Sequence, residues 1–244
     1  MTAPAAIQTL LHKLARRDLL SEAERQVLVD SAGPRIEYPA GSDIVREGDR
    51  PDRSALLVAG FATRYRLLAD GQRQITAIHV PGDFVDLHSL LLQVMDHSVG
   101  ALSACSIVTY PHAGLRHITS SFPHLTRLLW LSTLIDGAIH REWLVAMGRR
   151  SALQQLAHLV CELHVRLEVA GLVRDGQFHL PITQSELGDA LGLSVVHVNR
   201  LLQNLRSAGL IAWRGQTVGS PDWAALSALA EFDPRYLHLE LEPR

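Results

Sequence analysis

The chain has only two cysteines, a single lysine and 5% aromatic residues among its 244 positions. Cys105 and Cys161 stand far apart in apolar runs, which excludes a disulfide framework or a cysteine-ligated cluster and suits buried thiols. No apolar run approaches the roughly 18 residues that span a bilayer. The opening MTAPAAIQTLLHKLARRDLL lacks the charged start, apolar middle and cleavage site of a signal peptide. A cytoplasmic location without membrane contact is therefore the expectation. The net charge of -2 argues against non-specific coating of nucleic acid, although a sequence-specific binder needs only a local basic footprint. Lys13 aside, every basic residue is arginine, which suits planar, bidentate recognition or simply reflects base composition. What is present, 47% hydrophobic and 20% charged residues, describes a globular protein of one large or two modest domains.

Along the chain three textures follow one another. After a short amphipathic N-terminal helix, Ser21 with Glu24 three residues on forms a capping box for a second helix. From Arg35 to about residue 112, short Val-, Ile-, Tyr- and Thr-rich segments alternate with Gly, Asp and Pro punctuation. Asp70-Gly71 between two alternating runs signals a hairpin, and the whole suggests a small β-roll or jelly-roll barrel. From Phe122 to Met147 an apolar stripe runs through Leu128, Leu131, Leu134 or Ile135, Ala138 and Trp143 or Leu144. Pro123 stands at a first-turn position. A helix of that length calls for a partner, so pairing at a dimer axis is expected, and folding back on its own domain is the alternative. Gly148-Arg149-Arg150 reads as a hinge before a further helix and a short strand, FHLPI.

The third texture, LPITQSELGDALGLSVVHVNRLLQNLRSAGL from Leu180 to Leu210, organises the rest. Thr183 can cap one helix, Gly192-Leu193 break it, and Ser194 can cap a second. Val198, Leu201, Leu202 and Leu205 make the inward stripe of that second helix. Val195, Val196, Asn199, Arg200 and Gln203 are left outside. This is a helix-turn-helix pattern, with an inert helical hairpin as the bland alternative. GLIAWRGQTVGS then suggests a β-hairpin wing, and DWAALSALAEF a last helix.

A β-roll, a long helix, a hinge and a winged helix-turn-helix, in that order, resemble the Crp/Fnr superfamily of bacterial transcription regulators. Thr183 to Ile211 and the turn residues Gly41, Glu47-Gly48-Asp49, Gly60 and Pro81-Gly82-Asp83 carry the resemblance most specifically. It implies an α+β chain: a sensor roll over 1–120, a dimerisation helix and hinge over 121–148, and a winged helix-turn-helix over 149–244. It also implies a homodimer on near-palindromic double-stranded DNA, with RNA polymerase as a further partner where it activates. Arg200 falls on the family's recognition arginine, expected to reach a guanine edge. Ser194 and His197 fall near phosphate, and Thr183 and Gln184 start the supporting helix. The chain departs where Val196 replaces a cytosine-reading glutamate and Val195 a polar residue. Asn199 adds an adenine-type contact, so a half-site unlike the common TGTGA and TTGAT forms is expected.

The resemblance places an effector pocket around Gly82, Asp83, Asp86, His88, His97 and Ser98. Cyclic-AMP-binding relatives use a Gly-Glu and an Arg-Ser pair there. Gly82-Asp83 stands near the first, but no arginine lies between Arg73 and Arg116, and Asp86 and Asp96 would repel a phosphate. An N-terminal iron–sulfur site has no cysteine to hold it. Haem needs one axial ligand, which His79, His88 or His97 can supply. No cofactor or metal is assigned, and a small apolar or weakly polar effector, or none, is expected. Two readings from other classes compete. A cupin-like metalloenzyme lacks its His-x-His and glutamate, with no Glu between Glu47 and Glu142. A regulatory module that no longer binds DNA rests only on the non-basic charge.

Overall fold

The computed structural model describes residues 7–243. Two helices, α1 (Gln8–Ala15) and α2 (Glu22–Asp30), lead into the roll. The box at the start of α2 is reciprocal: Ser21 N donates to Glu24 Oε2 at 2.8 Å, and Glu24 N to Ser21 Oγ at 3.3 Å.

The roll is built from β1 (Arg35–Tyr38), β2 (Asp43–Val45), β3 (Arg53–Ala59), β4 (Ala62–Leu67) and β5 (Arg73–His79). A short helix, α3 (Ser89–Leu92), precedes β6 (Ser98–Ala101) and β7 (Cys105–Pro111). One sheet has the order β1-β7-β3 and the other β2-β6-β4-β5, with all pairs antiparallel. The Asp70-Gly71 hairpin forms as expected between β4 and β5. Leu57, Val99, Met95 and Ile107 fill the space between the sheets. Both cysteines are buried thiols, and burial raises Cys105 to about 11 and Cys161 to about 12.

After α4 (His112–Ser121) comes the long helix α5 (Pro123–Arg149), 27 residues and about 40 Å at 1.5 Å per residue. It is apolar on two faces. Leu128, Ile135, Ala138, Ile139 and Trp143 are buried within the protomer, Leu131 is half-buried, and Trp130 (63% exposed), Leu134 (53%) and Leu144 (65%) face outward. The stripe expected from the sequence therefore mixes both faces. The break falls within the expected Gly148-Arg149-Arg150 stretch, at its last residue. Gly148 lies within the last turn of α5, and Arg150 (φ -86, ψ 147) is the residue that leaves the helix. The reason is local: Ser151 and Gln154 make a capping box for α6 (Ala152–Val169), which needs extended backbone just before it.

Beyond α6 follow β8 (Gln177–His179), α7 (Gln184–Leu191), α8 (Val195–Ser207), β9 (Ala212–Arg214), β10 (Thr217–Gly219) and α9 (Trp223–Ala230). The wing is a three-stranded sheet of order β8-β10-β9. A 3-10 turn, Pro234–Leu237, ends the regular structure. One hydrophobic cluster runs from Ile75 and Ile78 of β5 through Ile135, Ile139 and Trp143 of α5 to Leu163, Leu187 and Leu202. The roll and the helix-turn-helix thus share packing, at roughly 1.5–3 kcal/mol for each such side chain fully buried. Among the described residues no helix is long and apolar enough to cross a membrane.

Candidate nucleic-acid interface and effector cavity

The helix-turn-helix geometry follows from its caps. Thr183 Oγ1 accepts from Glu186 N at 3.2 Å while Glu186 Oε2 accepts from Thr183 N at 2.8 Å, so α7 starts in a full capping box. Gly192 ends α7 in the left-handed region (φ +67), where a side chain would be strained. Gly188 was not singled out by sequence pattern, yet it sets the turn. A Cβ there would lie 2.5 Å from Leu193 O, whose own N–H donates to Gly188 O at 3.0 Å. Ser194 Oγ then accepts from His197 N at 3.3 Å and starts α8.

Val198, Leu201, Leu202 and Leu205 are buried, as their spacing requires. Val196 is 82% exposed, Val195, Arg200 and Gln203 are also exposed, and His197 and Asn199 are half-buried. Asn199 Nδ2 donates to Gln184 Oε1 at 3.1 Å, and Gln203 Nε2 donates to Asn199 Oδ1 at 2.9 Å. These amides form a ridge joining the two helices, and Asn199 meets a base only by exchanging one of those bonds. Arg200 projects from the same face with no partner among the described residues. All nine residues expected at the interface lie on α7, α8 or their caps.

A cavity of about 480 Å³ lies between the roll, α5 and the chain ends. Gly82, Asp83, His88 and His97 line it, as do His79, Asp96, Asp136 and His140. Asp86 and Ser98 do not. Asp86 is 1% exposed with Oδ1 accepting from Ala55 N at 2.6 Å, and Ser98 Oγ accepts from Glu47 N at 3.0 Å. Five cationic side chains from outside the stretch between Arg73 and Arg116 line the wall: Lys13, Arg17, Arg64, Arg66 and Arg166. Arg64 of β4 pairs with Asp136 (Nη1 to Oδ2, 2.8 Å) and Arg166 of α6 pairs with Asp83. Lys13 of α1 and Leu237 and Leu239 of the C-terminal segment complete it. Short-range pattern gives no sign of these, because Arg17 and Leu237 meet across 220 positions.

The cavity's electrostatics are set by burial and by these pairs. Burial works against the charge of Asp83, but Lys13 and Arg166 outweigh it and hold the carboxyl well below the usual range. Burial, with Arg64 adding to it, brings His79 down to about 3 and His88 to about 4, so both rings are neutral at pH 7. Asp86 has one backbone donor against nearly complete burial, which lifts it to about 7.

Residues 35–122 match the cyclic nucleotide-binding domain, and residues 154–229 match the Crp-like helix-turn-helix domain. The transcriptional activator protein FnrL of Cereibacter sphaeroides is 30% identical over 183 residues, 73% of each chain. The nitrogen fixation regulation protein FixK of Rhizobium meliloti is 30% identical over 185 residues, 75% of this chain and 81% of its own. The solved structure of FixK2 from Bradyrhizobium japonicum superposes with a TM-score of 0.74 at 25% identity, covering 81% of this chain and 96% of that one. These relatives are transcriptional regulators, not enzymes.

Proposed function

Because the chain belongs to the Crp/Fnr family of transcriptional regulators, we propose that it acts as a homodimer inserting α8 of each protomer into successive major grooves of a near-palindromic duplex. The observation that carries this reading is Arg200: exposed, unpartnered among the described residues, and set on the outward face of a helix whose inward face is fully buried. A guanidinium so placed suits bidentate contact with guanine O6 and N7. Val195 and Val196 offer methyl groups to thymine, and Ser194 and His197 stand toward the backbone. Thr183 starts the supporting helix, Gln184 and Asn199 tie it to α8, and Gln203 braces Asn199.

The outward face of α5, with Trp130, Leu134 and Leu144, supplies the dimer contact. The state of the sensor cavity biases how the two recognition helices are spaced. Its ligand is not cyclic AMP in this reading, since Arg64 is tied to Asp136 and Asp83 is an anion held by Lys13 and Arg166. The protein works in the cytoplasm, and activation adds a contact to RNA polymerase. Selection from random duplexes tests the proposal. Two inverted half-sites about 34–36 Å apart, differing from TGTGA and TTGAT, are expected. Enrichment of unpaired half-sites would refute the dimer, and enrichment of either common form would refute the valine reading.

A further inference from the structure

His88 and His97 converge on the cavity wall with ring centroids 5.0 Å apart and planes tilted by 44°. Their Nε2 atoms are both buried and have no hydrogen-bond partner among the described residues. An imidazole nitrogen left so is destabilising unless something enters to meet it. Asp96 completes the group: its Oδ1 lies 2.5 Å from His97 Nδ1, and one ligand atom from each of His88, Asp96 and His97 falls within 4.8 Å of the others.

We propose that His88 and His97, backed by Asp96, bind one divalent transition-metal ion in the wall of the sensor cavity. A carboxylate accepting the Nδ1–H of His97 leaves the lone pair on Nε2, the arrangement in which a carboxylate orients a metal-bound histidine. Two imidazoles suit zinc, cobalt, nickel or ferrous iron, whereas magnesium and calcium favour all-oxygen shells. A tetrahedral ion with bonds of about 2.0–2.1 Å needs ligand atoms closer than the present limit, which side-chain rotation supplies. The remaining positions open onto the cavity, where water or a small ligand can complete the shell.

Charges of both signs face the ion, Arg64 against Asp96 and Asp136. Arg64 is the nearby cation, and its Nη1 is matched by Asp136 while its Nη2 donates to Val85 O at 3.2 Å. The two rings are in contact, so the plane of a haem cannot lie between them. The site lies in the roll and makes no use of α8, so it stands or falls apart from DNA reading.

The test uses the full-length protein, stripped with a chelator and titrated with zinc against a chromophoric competitor. The wild type is expected to bind one zinc per chain. His88→Ala and His97→Ala should each weaken binding by at least about 100-fold, and Asp96→Asn by about 10–100-fold. His117→Ala, on the exposed surface, should change nothing. X-ray absorption at the zinc edge should show two imidazole scatterers in the wild type, which keeps the proposal testable if a variant misfolds. No stoichiometric zinc, an all-oxygen shell, or equal loss in His117→Ala would overturn it.

Discussion

Asp83 Oδ2 accepts a hydrogen bond from Arg166 Nη2 at 2.9 Å, tying a turn of the sensor roll to the first helix after the long one. Lys13 takes the other carboxylate oxygen. Arg166 Nη1 in turn donates to Glu162 Oε1 at 3.0 Å, and Glu162 also accepts from Trp143 and from Tyr236 in the C-terminal segment. One carboxylate therefore joins the N-terminal helix, the roll and the C-terminal unit at the edge of the cavity. A ligand that displaces any member changes the hold on all three.

Asp83→Asn should cost about 3 kcal/mol, because it leaves Lys13 buried without its anion and Arg166 with Glu162 alone. Denaturant unfolding measures this, and a double-mutant cycle with Arg166→Met should show coupling well above the 0.3–0.5 kcal/mol or so of independent sites. The sign with pH follows. The folded carboxyl lies below its ordinary 3.8, so its contribution is present above pH 4 and is lost as pH falls below it.

Asp86 works in the opposite sense. Its folded value of about 7 lies above its ordinary 3.8, so its contribution is fully present below pH 4 and is lost as pH rises through 7. The slope is up to about 1.4 kcal/mol per pH unit in that window. Asp86→Asn should flatten the wild type's decline in stability between pH 4 and 7, measured by thermal melts across that range.

The two faces of α5 give a paired prediction. Leu134→Glu, on the outward face, should yield folded monomers in analytical ultracentrifugation that bind a full site far more weakly than the dimer. Ile135→Glu, one position on and buried, should instead unfold the chain, since it places a charge in the shared core. A folded, dimeric Leu134→Glu would place the dimer contact elsewhere.

Gly188→Ala tests the turn between α7 and α8. The added methyl meets the carbonyl of Leu193 at 2.5 Å, so the backbone must shift. Retained folding by circular dichroism with at least about tenfold weaker specific DNA binding is the expected outcome, because α8 is moved relative to its support.

How far sequence carried this structure depends on the range of each contact. The caps at Ser21, Thr183 and Ser194, the Asp70-Gly71 hairpin and the Val198–Leu205 stripe are local devices, and each forms where its residues stand. The α5 stripe was ambiguous because both of its faces are apolar, so period alone cannot say which one turns inward. Within Gly148-Arg149-Arg150 the helix ends at Arg150, because a single glycine is tolerated inside a helix and the cap at Ser151 decides. The cavity was half legible. Gly82, Asp83, His88 and His97 come from one stretch, whereas Lys13, Arg64, Arg166 and Leu237 arrive from distant segments by tertiary packing.

The most direct measurement is the affinity of wild type and Arg200→Ala for the selected duplex and for a random one at the same salt concentration. The account predicts that Arg200→Ala loses about 1–3 kcal/mol on the selected duplex, with relaxed preference at one base pair and little change on random DNA. Equal affinity of the two proteins for the selected duplex would contradict it.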